Sequence, residues 1–513
     1  MHRINNKTLK ITGIIFIVIS LLFVIYASVT LRGMYLDGSF FMLSMLKNFD
    51  INNYWGVLDF TRTRFFIMFL LEAPVSIANL IFRIDNKNAL MMIYSCSQFL
   101  LPLLALLWSY KLAERTRRMD IFFWNLFTYC CLSLTFSIFS VSEHILGAAL
   151  QFILWNYLAA KIDYNKKDIF LIIFLAVVMF GTFEYEIFLG QVFFFASVIY
   201  AAREKDKKNR RIKYLIGFGS LFAAIFDAVF MIRTAVMNPS DGRYFIKELY
   251  DYMPMLPKMC SLISIAAIVF LIIAFFKKKP LSKTFIGFFV FIAVSIFIKM
   301  LFYLDVSLNP MWESHLRSIP FWFLPLLFAG MFLFDLFKRK RHIIKIQNYI
   351  IIVLICGIFQ TIWQCIHTYY WDINVKYMKK QLAKTSEPLY PASKHKEISS
   401  FHNEALRRYI WWGNYAVMSI LLSDTYKVKT LAVNYDDRDY EIGNRTFRDR
   451  LFVVPEAGMM SIPYGVFIPI KNKYWDLTEC AEALDKYNKE NNIRVQYYNP
   501  KKEADSEDDE EQF

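Results

Sequence analysis

The fold of this chain is organised around residues 30–66, TLRGMYLDGSFFMLSMLKNFDINNYWGVLDFTRTRFF. An apolar run at 11–31 leads into this stretch, and an isolated acid, Asp37, follows shortly after the run. The basic pair Arg62 and Arg64 lies near the end of the stretch. If the first run crosses a membrane outward, Asp37 lies at the extracytoplasmic edge of the bilayer, with apolar groups on one side and water on the other.

The composition indicates a polytopic helical membrane protein. Hydrophobic residues make up 56% of the 513 residues, aromatic residues make up 18%, and the mean hydropathy is +0.34. A soluble protein of this composition could not keep its apolar surface patches small. Apolar runs of about twenty residues, the length that crosses a hydrocarbon core as a helix, recur as far as residue 368.

Charge and cysteine usage argue against two other classes of protein. The net charge of +15 comes from Lys and Arg clustered between apolar runs. This clustering indicates cytoplasmic anchors rather than a nucleic-acid-binding surface, and we expect no nucleic-acid partner. Six of the seven cysteines lie in apolar runs, and their spacing matches neither a metal site nor a disulfide framework. The first run lacks a cleavage signal, which favours a retained helix over a signal peptide.

Basic and non-basic connectors alternate between the apolar runs. The basic connectors are KLAERTRR (111–118), KIDYNKK (161–167), REKDKKNRRIK (203–213), KKKPLSK (277–283) and KRKRHIIK (338–345). The connectors without Lys or Arg are SVSEH (140–144), TFEYE (182–186) and LDVSLNPMWESH (304–315). By the positive-inside rule, this alternation places the N-terminus and the basic connectors in the cytoplasm.

The run at 65–82 breaks this alternation, because a crossing there would place every later basic connector outside. It also contains Glu72 and Pro74, which disfavour a simple span. We interpret it as an interfacial or re-entrant helix in a large first outer loop, 32–88. About eleven spans then remain, with the C-terminus outside. A model with twelve spans that violates the charge rule is the alternative.

The sequence predicts three regions. Residues 1–368 form the transmembrane domain. From 369 to 500, short alternating stretches such as KVKTLAVNY (427–435) predict strands, and 475–492 predicts an amphipathic helix, so we expect a small extracytoplasmic α+β domain. Residues 501–513 form an acidic tail that cannot drive packing.

Ionisable residues at the predicted outer ends are candidates for function, because a charge at membrane level is costly. An acid can remove a proton from an acceptor hydroxyl, and cations can stabilise a departing phosphate. The candidate catalytic acids are Asp37, Glu143, Glu184 and Glu186. The candidate groups for a donor phosphate are Arg64, Arg233, His315 and Arg317. If a metal is present, we expect Mg²⁺ or Mn²⁺ on Asp37 with Glu184 or His144.

Each candidate also has a structural interpretation. Asp37 could cap the helix that GSFFMLSML predicts. Glu143 and His144 could be ordinary residues at a helix start, where a Glu suits the helix dipole. The two acids at 184 and 186 could belong to a solvated loop, and the segment 312–317 could be an interfacial anchor.

Three segments carry a resemblance to a known family. They are YLDGSFF (35–41), NNYWGVLDFTRTRFF (52–66) and FEYE (183–186). A first helix followed by a large outer loop with an early Asp resembles the GT-C superfamily of integral membrane glycosyltransferases. The resemblance implies that the catalytic acid of the superfamily corresponds to Asp37 and that its second acidic position corresponds to Glu143, Glu184 or Glu186. The chain has Trp411-Trp412-Gly413 instead of the WWD motif, which disfavours protein N-glycosylation.

The resemblance implies a bacterial cell-membrane enzyme with a polyprenyl-phosphate-linked sugar donor. It implies transfer on the outer face to a glycan, lipid or protein of the cell envelope. A transporter or flippase of lipid-linked saccharides is the first alternative, although the predicted charges cluster at outer ends rather than near the midplane. A non-catalytic envelope assembly protein is the second alternative.

Overall fold

This computed structural model describes residues 7–35, 38–39, 42, 45, 65–134, 143–179, 185–237, 324–336, 346–386, 389–391, 414–423, 430–432, 486 and 489–490. The chain divides into two compact units. The first consists of Met1–Gly33 and Phe60–Tyr369, and the second consists of Met34–Asp59 and Tyr370–Phe513. The domain boundaries predicted from sequence stay a prediction.

The described part of the chain is mainly helical. Its helices up to the second unit are α1 (Lys7–Val29), α2 (Phe65–Leu80), α3 (Lys87–Thr116), α4 (Met119–Phe127), α5 (Glu143–Ala159), α6 (Lys166–Met179), α7 (Glu186–Ala202), α8 (Lys207–Met237), α9 (Leu324–Leu336) and α10 (Ile346–Lys384). A 3₁₀ turn, Arg32–Met34, follows α1 closely. A π-helical segment, Thr128–Ser133, continues α4.

Four of the described helices are long and apolar enough to cross a membrane. They are Lys7–Val29, Lys87–Thr116, Lys207–Val229 and Tyr349–Lys384. Large apolar side chains are exposed along them, for example Ile14 and Ile25 of α1, each 61% exposed. Such surfaces suit lipid acyl chains and suggest membrane association. The count of eleven spans stays a prediction.

Three helices continue past the apolar runs from which the sequence predicts them. Helix α3 includes 111–116 of the first basic connector, and α8 includes 207–213 of the third. Helix α10 continues beyond 368 through polar residues to Lys384. Lys, Arg and Glu have good helix propensity, so a helix that leaves an apolar layer has no local reason to end there. The predicted run 186–202, in contrast, coincides with α7.

The segment 65–82 contains one continuous helix, α2, with Pro74 inside it. Glu72 of this helix is buried, and neither of its carboxylate oxygens accepts a hydrogen bond from the residues that the structure describes. At 16 residues, α2 is shorter than the length that usually spans a bilayer. The interfacial or re-entrant position of this helix stays a prediction.

The first unit packs around a cluster of aromatic rings on α5, α7 and α9. The buried indole of Trp155 contacts Phe193 and Phe328 edge to face, with ring centroids 5.0 and 5.2 Å apart. Phe328 also contacts Phe152, and Phe332 contacts Tyr200. These rings bring the three helices together along the second half of α7.

The second unit is described only in parts. The end of α10 carries the buried Trp371, whose ring lies 5.4 Å from that of Tyr35. Two three-residue strands, β1 (Leu389–Pro391) and β2 (Thr430–Ala432), pair in parallel. Helix α11 (Asn414–Leu422) lies between them in sequence. The small α+β domain, including the predicted helix at 475–492, stays a prediction.

Candidate functional site

Helices α7 and α8 pack against each other in antiparallel directions at very short distance. A Cβ atom on Gly190 would lie 2.3 Å from the carbonyl oxygen of Ser220 and 2.8 Å from the Cβ of Ala224. Further along, a Cβ on Gly217 would lie 1.8 Å from the Oγ of Ser197. Only glycine permits backbones to approach this closely. The two contacts therefore fix the register between α7 and α8.

This register brings two acids together. Glu186 lies one helical turn before Gly190, and Asp227 lies about one turn after Ala224, on the neighbouring helix. Both side chains are fully buried, and the charge of Asp227 acts on that of Glu186. Two buried carboxylates in one place repel each other when both are ionised.

Gln151 of α5 completes the cluster. Its amide Nε2 donates a hydrogen bond of 2.8 Å to Glu186 Oε2, and its side chain is 1% exposed. Among the described residues, neither Glu186 Oε1 nor Gln151 Oε1 has a hydrogen-bond partner. We name Gln151, Glu186 and Asp227 the acid cluster. Buried oxygens without donors are costly, so the cluster has acceptor capacity left for a proton, a cation or a hydroxyl.

Sequence reasoning missed Asp227 and Gln151. A signal for Asp227 was present, because it is a lone acid within the apolar run 214–231. An ionisable residue inside such a run is a candidate for function by default. Gln151 gave no comparable signal, since an uncharged amide in a helix is common. Its role depends on the packing of α5 against α7.

The opposite end of the first unit carries three of the basic connectors, 111–118, 161–167 and 203–213, and there several acids are paired with Lys or Arg. Arg118 is buried between Asp120 and Asp335, with its Nη2 2.8 Å from an oxygen of each. Its Nη1 donates to the carbonyl of Ala159, and the hydroxyl of Tyr200 donates to Asp335. Burial alone lowers the pKa of Arg118, but the charges of Asp120 and Asp335 raise that pKa above its ordinary value.

Neighbouring connectors meet through similar contacts. Arg115 makes two bonds of 2.7 Å to the carboxylate of Asp168, and Lys208 donates to the carbonyl of Tyr164. Asn165 and Asp168 exchange side-chain to backbone hydrogen bonds at the start of α6, as in a capping box. We name these contacts, with those of Arg118, the basic end. The connectors at 111–118, 161–167 and 203–213 therefore lie on one side of this unit.

Glu204 and Lys213 form a further ion pair of 3.0 Å at the basic end. Burial on its own raises the pKa of Glu204. The hydrogen bond and the charge of Lys213 outweigh this effect and bring that pKa below its ordinary value of 4.5. Each of the ion pairs named at this end thus stabilises its charged form.

The acid cluster lies far from the basic end on the same helix. Glu186 begins α7, and Tyr200, which binds Asp335, lies near its last turn. Fourteen residues of α-helix correspond to about 21 Å, which is most of the thickness of a hydrocarbon core. The two sets of charges therefore lie near opposite ends of α7.

The structure describes only some of the residues predicted for the site. Glu186 is buried within α7, so the solvated-loop interpretation is wrong for this residue. His144 is buried in the first turn of α5, which begins at Glu143. Arg233 lies on α8. The predicted residues outside the described part of the chain are Asp37, Arg64, Glu184, His315 and Arg317.

No metal site emerges from the described residues, which contain no group of three or more His, Cys, Asp or Glu side chains able to hold an ion. The expected ligands Asp37 and Glu184 lie outside the described residues. The predicted Mg²⁺ or Mn²⁺ site therefore stays a prediction.

Comparison with known proteins gave no match. No protein-family model matches the chain, and it matches neither a curated protein nor a solved structure.

Proposed function

We propose that this protein is a multi-pass extracytoplasmic glycosyltransferase that moves a sugar from a polyprenyl-phosphate donor to a cell-envelope acceptor. The proposal includes about eleven spans, a cytoplasmic N-terminus and an extracytoplasmic α+β domain. In it, Asp37 is the general base that removes the proton of the acceptor hydroxyl. The cations Arg64, Arg233 and Arg317, with His315, stabilise the departing phosphate.

The acid cluster is the observation that carries the proposal. Glu186 is one of the acids that the resemblance to GT-C enzymes selects, and it is buried with Gln151 about 21 Å from the basic end. A buried acid with an unused acceptor oxygen suits the binding of a sugar hydroxyl or the transfer of a proton. We assign Glu186 the second acidic position of the transferase, which the sequence left open between three glutamates.

The sidedness of the first unit supports the same proposal. The three basic connectors that the structure describes meet on one side, which fits a cytoplasmic face, and Glu186 lies toward the other. A lipid-linked sugar presented on the outer leaflet would meet the acid cluster and not the paired charges.

A transporter or flippase of lipid-linked saccharides is the second candidate. The position of Asp227 favours it, because this acid lies inside the candidate span Lys207–Val229 rather than at a helix end. Buried acids inside spans are typical of proton and ion pathways. The charged groups at membrane level therefore do not all lie at outer helix ends. A non-catalytic envelope assembly protein is the remaining alternative.

Transfer of radiolabelled sugar tests the proposal. The purified protein is reconstituted in vesicles with a panel of labelled polyprenyl-phosphate sugars and a cell-envelope fraction as acceptor. We expect label in the acceptor with the wild type, and at least about a hundredfold less with Asp37→Asn, because a general base contributes about that much. Movement of intact donor across the vesicle membrane without transfer would instead identify a flippase. If the protein showed no transfer and no movement of donor, the non-catalytic assembly role would be favoured.

Added chelator decides the metal prediction in the same assay. If Asp37 and a second outer acid share Mg²⁺ or Mn²⁺, EDTA abolishes transfer and either ion restores it. Full transfer in EDTA would contradict a metal-dependent mechanism while leaving the transferase proposal intact.

A further inference from the structure

Helices α6 and α8 lie side by side and run in the same direction. A Cβ on Gly219 would lie 3.7 Å from the Cβ of Ala176, and the Oγ of Ser220 lies 3.6 Å from the sulfur of Met179. At the start of α8, the ammonium group of Lys208 donates a hydrogen bond of 2.8 Å to the carbonyl of Tyr164, two residues before α6. Both helices therefore begin at the basic end, at nearly the same level.

The exposed face of α8 has a cationic start and an apolar continuation. Lys207 and Arg211 are exposed and lie one turn apart. The same face continues with Leu215, Phe218 and Phe222, which are 50%, 57% and 60% exposed. The spacing of three or four residues keeps all five side chains in one row along the helix.

Helix α6 repeats this arrangement beside it. Lys166 is exposed at its first residue. Phe170, Ile173 and Val177 follow at spacings of three or four residues and are 69%, 48% and 44% exposed. Two neighbouring helices thus present cations in their first turns and rows of exposed apolar side chains in the turns that follow.

The charge around this face is strongly positive. In the connectors and first turns at 161–167 and 203–211, nine Lys and Arg side chains are exposed, against two exposed acids, Asp163 and Asp206. Glu204 of the second segment is already paired with Lys213, and Asp168, just after the first segment, is paired with Arg115. The face therefore has positive charge to spare for a partner.

We propose that this face binds an anionic diacyl phospholipid. Its phosphate lies against Lys166, Lys207 and Arg211, and its two acyl chains lie along the apolar rows of α6 and α8. Charge complementarity selects an anionic headgroup, and the long bare rows select acyl chains over a free phosphate. The proposal requires that α6 and α8 face lipid, but it does not depend on glycosyl transfer.

Thermal unfolding of the full-length protein in a neutral detergent tests the proposal. The midpoint is measured during titration with phosphatidylglycerol, with phosphatidylcholine of the same acyl chains, and with inorganic phosphate. A ligand of the folded state raises the midpoint with a saturable dependence on concentration. We expect phosphatidylglycerol to do so at much lower concentration than phosphatidylcholine, and phosphate to have no such effect.

Two double variants locate the site. Lys207→Gln with Arg211→Gln should weaken the response to phosphatidylglycerol about 30-fold, because each cation near a membrane surface contributes about 1 kcal/mol. Phe218→Ala with Phe222→Ala should weaken the response to the lipid through loss of the apolar row. The matched control is Lys379→Gln with Lys380→Gln, which removes two exposed cations from the polar end of α10 and should change nothing.

Three results would overturn the proposal. One is an equal response to phosphatidylglycerol and phosphatidylcholine, and another is a phosphate response that matches that of the lipid. The third is an equal loss in the α8 cation variant and the α10 control, which would indicate a general charge effect. Since every readout is binding, failure here would not affect the transferase proposal.

Discussion

The basic end and the acid cluster lie near opposite ends of α7, and their charged groups have different partners. At the basic end, Asp168 meets Arg115, Asp335 meets Arg118, and Glu204 meets Lys213. In the acid cluster, Glu186 faces Asp227 and an amide. The first arrangement stabilises the charges that it contains. The second places acid against acid.

The difference indicates what each region is for. Breaking a buried ion pair leaves a charge without its partner, so paired regions are held together by their charges. Two acids buried side by side lower the stability of the folded protein, and such destabilising arrangements occur mainly at functional sites. The basic end is therefore a structural region, and the acid cluster is the better candidate for chemistry.

The largest effect should come from Arg118 at the basic end. Arg118→Gln leaves Asp335 and the carbonyl of Ala159 without a buried cation. We expect a loss of about 3–5 kcal/mol in the free energy of unfolding, measured by thermal denaturation in detergent. The neighbouring exposed Arg117→Gln is the matched control. Equal loss in both variants would show that burial of the guanidinium does not matter.

The close approach of α7 and α8 gives the next largest effect. Gly190→Ala forces its new methyl group against the backbone of Ser220, so we expect destabilisation by about 1–3 kcal/mol. Gly13→Ala is the control, because a Cβ there meets nothing within 4 Å. That variant should gain up to about 1 kcal/mol in stability from helix propensity. A gain of stability in both variants would contradict the close approach of α7 and α8 at Gly190, on which the acid cluster depends.

Replacing an acid by its amide should change the free energy of unfolding in opposite directions in the two regions. Glu186→Gln removes one of two facing acids and still accepts the hydrogen bond of Gln151, so we expect a gain of about 1 kcal/mol in stability. Asp168→Asn removes a buried acid that binds Arg115, so we expect a loss of about 1–3 kcal/mol. Unfolding midpoints of both variants measure the effect. A loss of similar size in both would remove the contrast between the regions.

The smallest effect concerns the pH dependence of the Glu204–Lys213 pair. Because the folded-state pKa of Glu204 lies below its ordinary value of 4.5, the pair stabilises the protein above that pH. The contribution is lost as the pH falls through the folded-state pKa. The wild type should therefore exceed Glu204→Gln in stability by at most about 1 kcal/mol at neutral pH, and the difference should vanish in acid.

Unfolding midpoints across this pH range, with the exposed Glu114→Gln as control, check the pH prediction. A difference that grows in acid would contradict the assigned sign. A difference of the same size in Glu114→Gln would show that the effect does not belong to the ion pair.

The sequence alone predicted where helices occur and which connectors lie at the same end of the first unit. Hydrophobic runs predicted α7 at its observed bounds, and Lys and Arg marked connectors that the structure joins at one end. Helices α3, α8 and α10 extend beyond their apolar runs because polar residues can continue a helix beyond an apolar layer. Local pattern therefore indicates that a helix exists better than it indicates where the helix ends.

The contacts of the site could not be predicted in the same way. Arg118 and Asp335 are 217 positions apart in the chain, and their pairing depends on how α9 packs. Asp227 meets Glu186 because two glycines set the register of α7 against α8. The sequence shows those glycines, but not the partner helix against which each one packs.

Sugar transfer by Glu186→Gln tests the central claim most directly. The variant and the wild type, matched for folded protein by their unfolding midpoints, are compared in single-turnover transfer from the labelled donor that the wild type uses. We predict that Glu186→Gln keeps or gains stability and loses at least about tenfold to a hundredfold in rate. A rate equal to that of the wild type would contradict the claim that the acid cluster is kept for chemistry.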